Sequence, residues 1–313
     1  MSNVTKPVRA WQRSKVPRMG SLSRRRTLEF YLFTSPWIAG FVLFMMGPIL
    51  ASLFLGFTDY DGFQPPQWVG ASNFLRLFKD PLFWRSLSVS ATYALLSVPL
   101  NLGLGLVIAL LMNQPLRGIS VFRTVYYMPA VISGVAASML WMWVFHPDFG
   151  ILNTGLRFFG IKGPSWIWDP HWALPSIVIM SIWGVGGSML VNLGGLQGIP
   201  TALYEAAEID GASGWHRFVK ITLPMLSPVI FYNLVTGIIG ALQIFTQGYV
   251  MTGGGPNNAT LFYVLYLYRN GFEWFRLGIA SAMAWLFFLI LIGLTLIVFR
   301  SSPLWVYYEG EES

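Results

Sequence analysis

Few residues in this chain are of the types that carry catalytic chemistry. Its three histidines, His146, His171 and His216, stand far apart and outside any HExxH spacing, so they form no metal-binding pair. Glu205 and Glu208 lie three apart on what reads as a solvated helix surface, where nothing raises a carboxyl for acid–base work. There is no GxSxG elbow, and the absence of cysteine removes thiolate zinc sites, disulfides and cysteine nucleophiles together. What does recur is uncharged hydrogen-bonding groups at helical spacing. Asn233, Thr236, Gly240, Gln243 and Gln247 follow at steps of three, four, three and four, on one face of a stretch otherwise made of Ile, Leu, Val and Phe. Ser188 and Asn192 make a shorter pair of the same kind. In hydrocarbon such groups must find partners, which leaves two readings: hydrogen bonds between helices, and a path for a hydroxylated solute, to which the length of the stripe points.

The elements that carry these residues are apolar spans. Hydrophobic residues make up 55% of the 313 and charged residues 11%, against ~25% charged in soluble domains, so much of the chain has lipid as its solvent. Six stretches are long enough to cross a bilayer, at about Phe30–Phe57, Ser86–Met112, Val121–Phe145, Trp172–Leu196, Leu223–Val250 and Leu277–Phe299. The first is too long for a signal-peptide core and reads as a retained span. The fold class is therefore an all-α, polytopic membrane protein: a basic tail over 1–29, a transmembrane domain over 30–299 and a short acidic tail over 300–313. The net charge of +7 belongs largely to the first tail, where eight of the 20 Lys and Arg precede residue 27. A basic cluster just before an apolar span fits the anionic membrane surface rather than nucleic acid. With both termini inside, cytoplasmic segments hold thirteen basic residues against seven in the outer loops.

No span has an ionisable residue at its centre, so the proton relay of a coupled carrier is missing and the energy for transport must come from a partner. The outer segments offer no such handle. Thr58 to Arg85 holds an amphipathic run at Phe74–Lys79 with aromatics expected at the headgroups. His146 to His171 reads as a compact cap, and Met251 to Arg276 opens on MTGGGPNN, read as a flexible turn. In the fourth span, Gly184, Gly186, Gly187, Gly194 and Gly195 point to close helix packing.

The handle lies between spans four and five. Pro200 opens a helix over Thr201–Asp210 that Gly211 stops, Ser213 caps a second short helix over Gly214–Lys220, and Pro224 sits where the next apolar helix begins. Glu205, Ala206, Ala207, Gly211, Ile221, Leu223 and Pro224 match without departure the EAA-loop pattern of permease subunits in binding-protein-dependent ABC importers. From Phe30 to Phe299 the chain resembles the maltose / glycerol-3-phosphate branch of that family, most closely the first permease of the pair. The resemblance implies a second homologous permease, a dimer of ABC ATPases that uses ATP and magnesium, an extracytoplasmic solute-binding protein, and location in the inner (plasma) membrane of a prokaryote. It implies no cofactor or catalytic residue on this chain. It also implies that the loop is a coupling element: Ala206 and Ala207 allow close approach to an ATPase, Glu205 pairs with a basic or amide group there, Gly211 allows the bend, and Asp210, Arg217, Leu223 and Pro224 complete the set. The cargo is then a sugar or oligosaccharide, with glycerol-3-phosphate or another polyol as the alternative. An ATP-independent carrier or channel is the alternative of another class.

Overall fold

A computed structural model describes residues 21–307. The chain divides into two units, Met1–Phe54 and Leu55–Ser313. In the first, helix α1 (Ser21–Phe41) passes through a π-helical turn at Val42–Met46 into α2 (Gly47–Leu55). No side chain from Arg26 to Phe54 is buried, although nearly all are apolar. That is a surface for lipid rather than water.

The second unit holds the remaining helices. A two-residue antiparallel ladder, β1 (Thr58–Asp59) with β2 (Gln67–Trp68), pairs Thr58 with Trp68 and is the only strand structure among the described residues. The short amphipathic run becomes α3 (Ser72–Lys79), held by Asn73, whose amide donates to Gly56 O at 3.0 Å and Thr58 O at 2.8 Å. Next comes α4 (Pro81–Met112), with Pro81 at its first position and Asp80 as its cap, accepting from the Leu82 amide at 2.9 Å. Its 32 residues reach ~48 Å at ~1.5 Å each, more than the ~30 Å of a hydrocarbon core. At its far end Arg123 donates two hydrogen bonds to Met112 O, a cation placed on the negative end of the helix.

The next two apolar stretches are broken rather than straight. α5 (Ile119–Val131) and α6 (Gly134–Val144) meet at 100° across Ile132 and Ser133, and α8 (Ala173–Trp183) and α9 (Gly186–Gln197) meet at 43° across Gly184 and Val185. The expected six spans thus appear as four helices of 28 to 32 residues and two bent pairs, so the described helices supply four to six crossings. Between the bent pairs lies α7 (Ile151–Phe158) in the compact cap, which closes on one residue: Asn153 donates to Pro147 O and Pro164 O and accepts from the Trp166 indole at 2.7 Å.

α10 (Thr201–Ile209) and α11 (Gly214–Arg217) follow. A π turn at Phe218–Thr222 joins α11 without a break to α12 (Leu223–Leu242), making one helix of 29 residues from Gly214. Pro224 stands in the first positions of α12, as its type suggested, but the helix it opens is continuous with α11. Having no amide to offer Lys220, it stands just after a turn widened so that the Leu223 N–H reaches Phe218 O. The fifth span is also shorter than its composition indicates, because α12 stops at Gln243.

The MTGGGPNN turn has Gly253 and Asn257 exposed, but hydrogen bonds tie it to the buried stretch that follows. Thr252 and Thr260 share a 2.7 Å hydrogen bond, Thr260 donates to Gly255 O at 2.7 Å, and Arg269 donates to Gly253 O. α13 (Tyr263–Tyr268) then enters the bundle, and Tyr263 stacks on Phe287 of α14 (Leu277–Ser301), donates its amide to Ser90 Oγ and its hydroxyl to Met283 O. Burying Phe262, Tyr263 and Leu265 completely removes roughly several hundred Å² of apolar surface from solvent. A second apolar cluster joins α4, α9 and α12 around Met189, Leu193 and Leu226.

Candidate functional site

At the loop, α10 ends in a Schellman turn. The Ala212 N–H reaches Ala207 O at 2.8 Å and the Gly211 N–H reaches Glu208 O at 3.0 Å, with Gly211 at φ +72°. A side chain would be strained there, which is why glycine stands at the bend. Asp210 occupies the capping position, its amide bonded to Ala206 O at 3.0 Å. Ser213 caps α11 by accepting from the His216 amide at 3.3 Å. The two helices are tied by Arg217 and Glu208 at 3.5 Å and by the Tyr204 hydroxyl to Thr222 Oγ1 at 2.9 Å.

Glu205 and Ala206 are exposed and Ala207 half-buried, and among the described residues none engages the Glu205 carboxylate. The loop also presents two residues that sequence reasoning passed over: Ile209 is 87% exposed and Trp215 is 73% exposed. Isolated in water, both are costly. They stand on either side of the Gly211 turn as an exposed apolar pair. Leu223 is exposed beside the half-buried Pro224, at the foot of α12.

The polar stripe lines a cavity of about 710 Å³, inside the ~300–1,000 Å³ typical of small-molecule sites. Asn233, Thr236, Gly240, Gln243 and Gln247 all reach it, with Ser188 opposite. The last two do so although α12 has ended: Gln243 closes the helix on Ile239 O, and the chain from Gln243 to Gln247 continues along the cavity. Asn192 differs from expectation. It is 1% exposed and absent from the lining; its Oδ1 accepts from the Asn233 amide at 3.0 Å, so it sits behind the wall and orients the residue in front. Thr236 returns its hydroxyl to Tyr232 O at 2.8 Å, while the buried Ser188 Oγ has no partner.

The opposite wall was not anticipated. Tyr93, Ser97 and Asn101 of α4 complete the lining, and Asn101 donates to Ser181 Oγ at 3.0 Å. The signal was present, since Ser86, Ser90, Tyr93, Ser97 and Asn101 stand at steps of four, three, four and four, the rule that found the stripe on α12. No lining residue is charged. Of the glycines in α9, two serve close approach, because a Cβ at Gly186 would meet the Tyr126 carbonyl and one at Gly195 would lie 2.7 Å from Leu226; Gly187 faces the open cavity. Among the described residues no group of three or more His, Asp or Glu could hold a metal ion.

An uncharged cavity and a rigid exposed loop are thus built on one unbroken helix. Residues 101–304 match the model of the binding-protein-dependent transport system inner membrane component. The chain belongs to that family. This permease is 45% identical over 294 residues to the probable ABC transporter permease protein YesP of Bacillus subtilis, covering 92% of this chain and 95% of that protein. It is 39% identical to the lactose transport system permease protein LacF of Rhizobium radiobacter, over 81% and 86% of the two chains. It superposes with a TM-score of 0.79 and 26% identity on a chain of a bacterial ABC transporter involved in import of the acidic polysaccharide alginate, over 89% and 96%. The permease is a multi-pass transport subunit of an ABC importer and not itself an enzyme; hydrolysis of ATP belongs to a separate ATPase.

Proposed function

We propose that this permease is one half of a heterodimeric importer in a prokaryotic plasma (inner) membrane and passes a neutral sugar or oligosaccharide delivered by an extracytoplasmic binding protein. Each bent pair counts as one span, giving six, with both termini and the α10–α11 loop in the cytoplasm. The ATPase dimer receives the loop, with Ile209 and Trp215 as apolar anchors and Glu205 free to meet a basic or amide group. Asp210, Gly211 and Arg217 hold the loop's shape. Closure of the ATPases on ATP and magnesium moves the loop, and the helices rock to open the cavity to alternate sides.

The observation that carries the reading is the single helix from Gly214 to Leu242, which begins in the loop and ends in the cavity wall. The amides and hydroxyls of Asn101, Asn233, Thr236, Gln243 and Gln247 suit a solute rich in hydroxyl groups, and Tyr93, Tyr232 and Phe245 give apolar faces on which a ring can stack. With no charged residue in the lining, a neutral cargo is favoured over glycerol-3-phosphate.

The test is to purify the complex from its native host, reconstitute it with its binding protein, and follow uptake of radiolabelled lactose, maltose and trehalose with and without ATP. Uptake that requires ATP and is inhibited by neutral saccharides is the expected result. Uptake in ATP-free vesicles, or competition by glycerol-3-phosphate alone, overturns the reading.

A further inference from the structure

The last described residues make a contact that neither the loop nor the cavity explains. After α14 the chain turns through a 3₁₀ turn at Ser302–Leu304 and runs back against the foot of α12. The Tyr307 N–H donates to Ser227 Oγ at 2.8 Å, and the same hydroxyl donates to Pro224 O at 2.6 Å. Trp305 packs its ring 5.8 Å from that of Phe231, which also meets Phe299 at 5.0 Å. Val306 and Ser302 are buried beneath. Ordering each of these residues costs ~1–2 kcal/mol, which the contacts to α12 must offset.

From these contacts we infer that residues 302–307 form a strap that positions α12 by fixing its foot to α14. The inference rests on the coupling role proposed for the α10–α11 loop. The foot of α12 is where force from the loop enters, since α11 runs into α12 through the π turn. Between Pro224 and Phe231 the strap supplies a hydrogen bond and one ring contact, beside the contact that Phe299 of α14 makes with Phe231, so α12 and α14 move as one body when the loop is displaced. Without it, displacement of the loop is dissipated in bending at the π turn, and the cavity wall lags behind.

The test uses the whole complex in proteoliposomes, with Ser227→Ala and Trp305→Ala made separately in this chain. Solute taken up per ATP hydrolysed is measured for lactose, maltose or trehalose, whichever the wild type transports. The expected result is a several-fold fall in that ratio with hydrolysis maintained, and recovery in Ser227→Thr, which keeps the hydroxyl. An unchanged ratio in both variants overturns the inference. Hydrogen exchange at the Tyr307 amide gives a second readout, independent of transport. Protection in both the resting and the vanadate-trapped complex is expected, and release in either state overturns the strap. If the wild-type complex shows no ATP-driven uptake at all, the proposed function fails, while the exchange measurement still decides whether the strap exists.

Discussion

The Asn233 amide donates across the α9–α12 interface to Asn192 Oδ1 at 3.0 Å, with both residues buried. This is one polar pair doing two things: it satisfies two amides in an apolar setting and turns Asn233 toward the cavity. Asn192→Ala and Asn233→Ala should each lower the thermal midpoint, and the double variant should fall short of the sum by about 0.6–1.7 kcal/mol, the coupling typical of interhelical bonds in membranes. Strict additivity in a double-mutant cycle in detergent would mean that the pair is not coupled.

Adjacent glycines in α9 should behave in opposite ways. At Gly186 a methyl group meets the Tyr126 carbonyl of α5, a backbone atom that cannot give way, so Gly186→Ala should destabilise by about 1–3 kcal/mol. At Gly187 nothing lies within 4 Å of the added carbon, so Gly187→Leu should be produced and inserted normally yet obstruct the cavity and abolish uptake. Membrane yield, thermal midpoint and transport, measured side by side, separate the two.

The loop invites a comparison of anchors with charge. Ile209→Asp or Trp215→Ala should cut recovery of the ATPase with this chain about tenfold or more, since each removes an apolar contact of hot-spot type. Glu205→Lys should leave assembly closer to normal but separate ATP hydrolysis from transport, and Gly211→Pro should do the same, because proline cannot adopt φ +72°. Wild-type coupling in either of the last two would remove the loop from the mechanism.

Alkaline pH supplies a further check outside the spans. Burial pushes the Tyr266 hydroxyl up from its usual 10 to about 12, and its hydrogen bond to Asp80 adds to the shift. The folded state then holds this proton more tightly than the unfolded chain, so the contribution to stability is complete below pH 10 and is lost as pH rises toward 12. Tyr266→Phe should flatten that part of the stability curve. Because Asp80 also caps α4, Asp80→Ala should be the more damaging change at neutral pH, by about 1 kcal/mol for the cap alone.

Where the determinants are local, the chain could be read directly. Gly211 at the bend and Ser213 at the cap follow from the conformations and hydrogen bonds those residues permit, and the stripe from Asn233 to Gly240 follows from helical periodicity, whereas Gln243 and Gln247 line the cavity beyond the end of that helix. Tertiary determinants were not legible. The breaks at Ile132–Ser133 and Gly184–Val185 lie inside continuously apolar stretches, where composition looks the same bent or straight. The run from Leu261 to Tyr268 is too short to cross a bilayer, so it reads as loop, and only the partners Ser90, Met283 and Phe287 make it core. Asn192 was legible as an inward polar residue, but whether it faces the cavity or its neighbour depends on where Asn233 lies in the fold.

The π turn at Phe218–Thr222 holds one residue more than an α turn would, and Pro224 keeps it so. Each residue advances a helix by about 100°. Removing one residue from that turn would therefore rotate α11 by about that angle relative to the cavity wall, leaving every apolar position of α12 in place. The chain would still insert and still carry its full loop motif, but the motif would point in the wrong direction. The direction in which the loop faces is thus written in the turn beneath it, separately from the loop's own sequence.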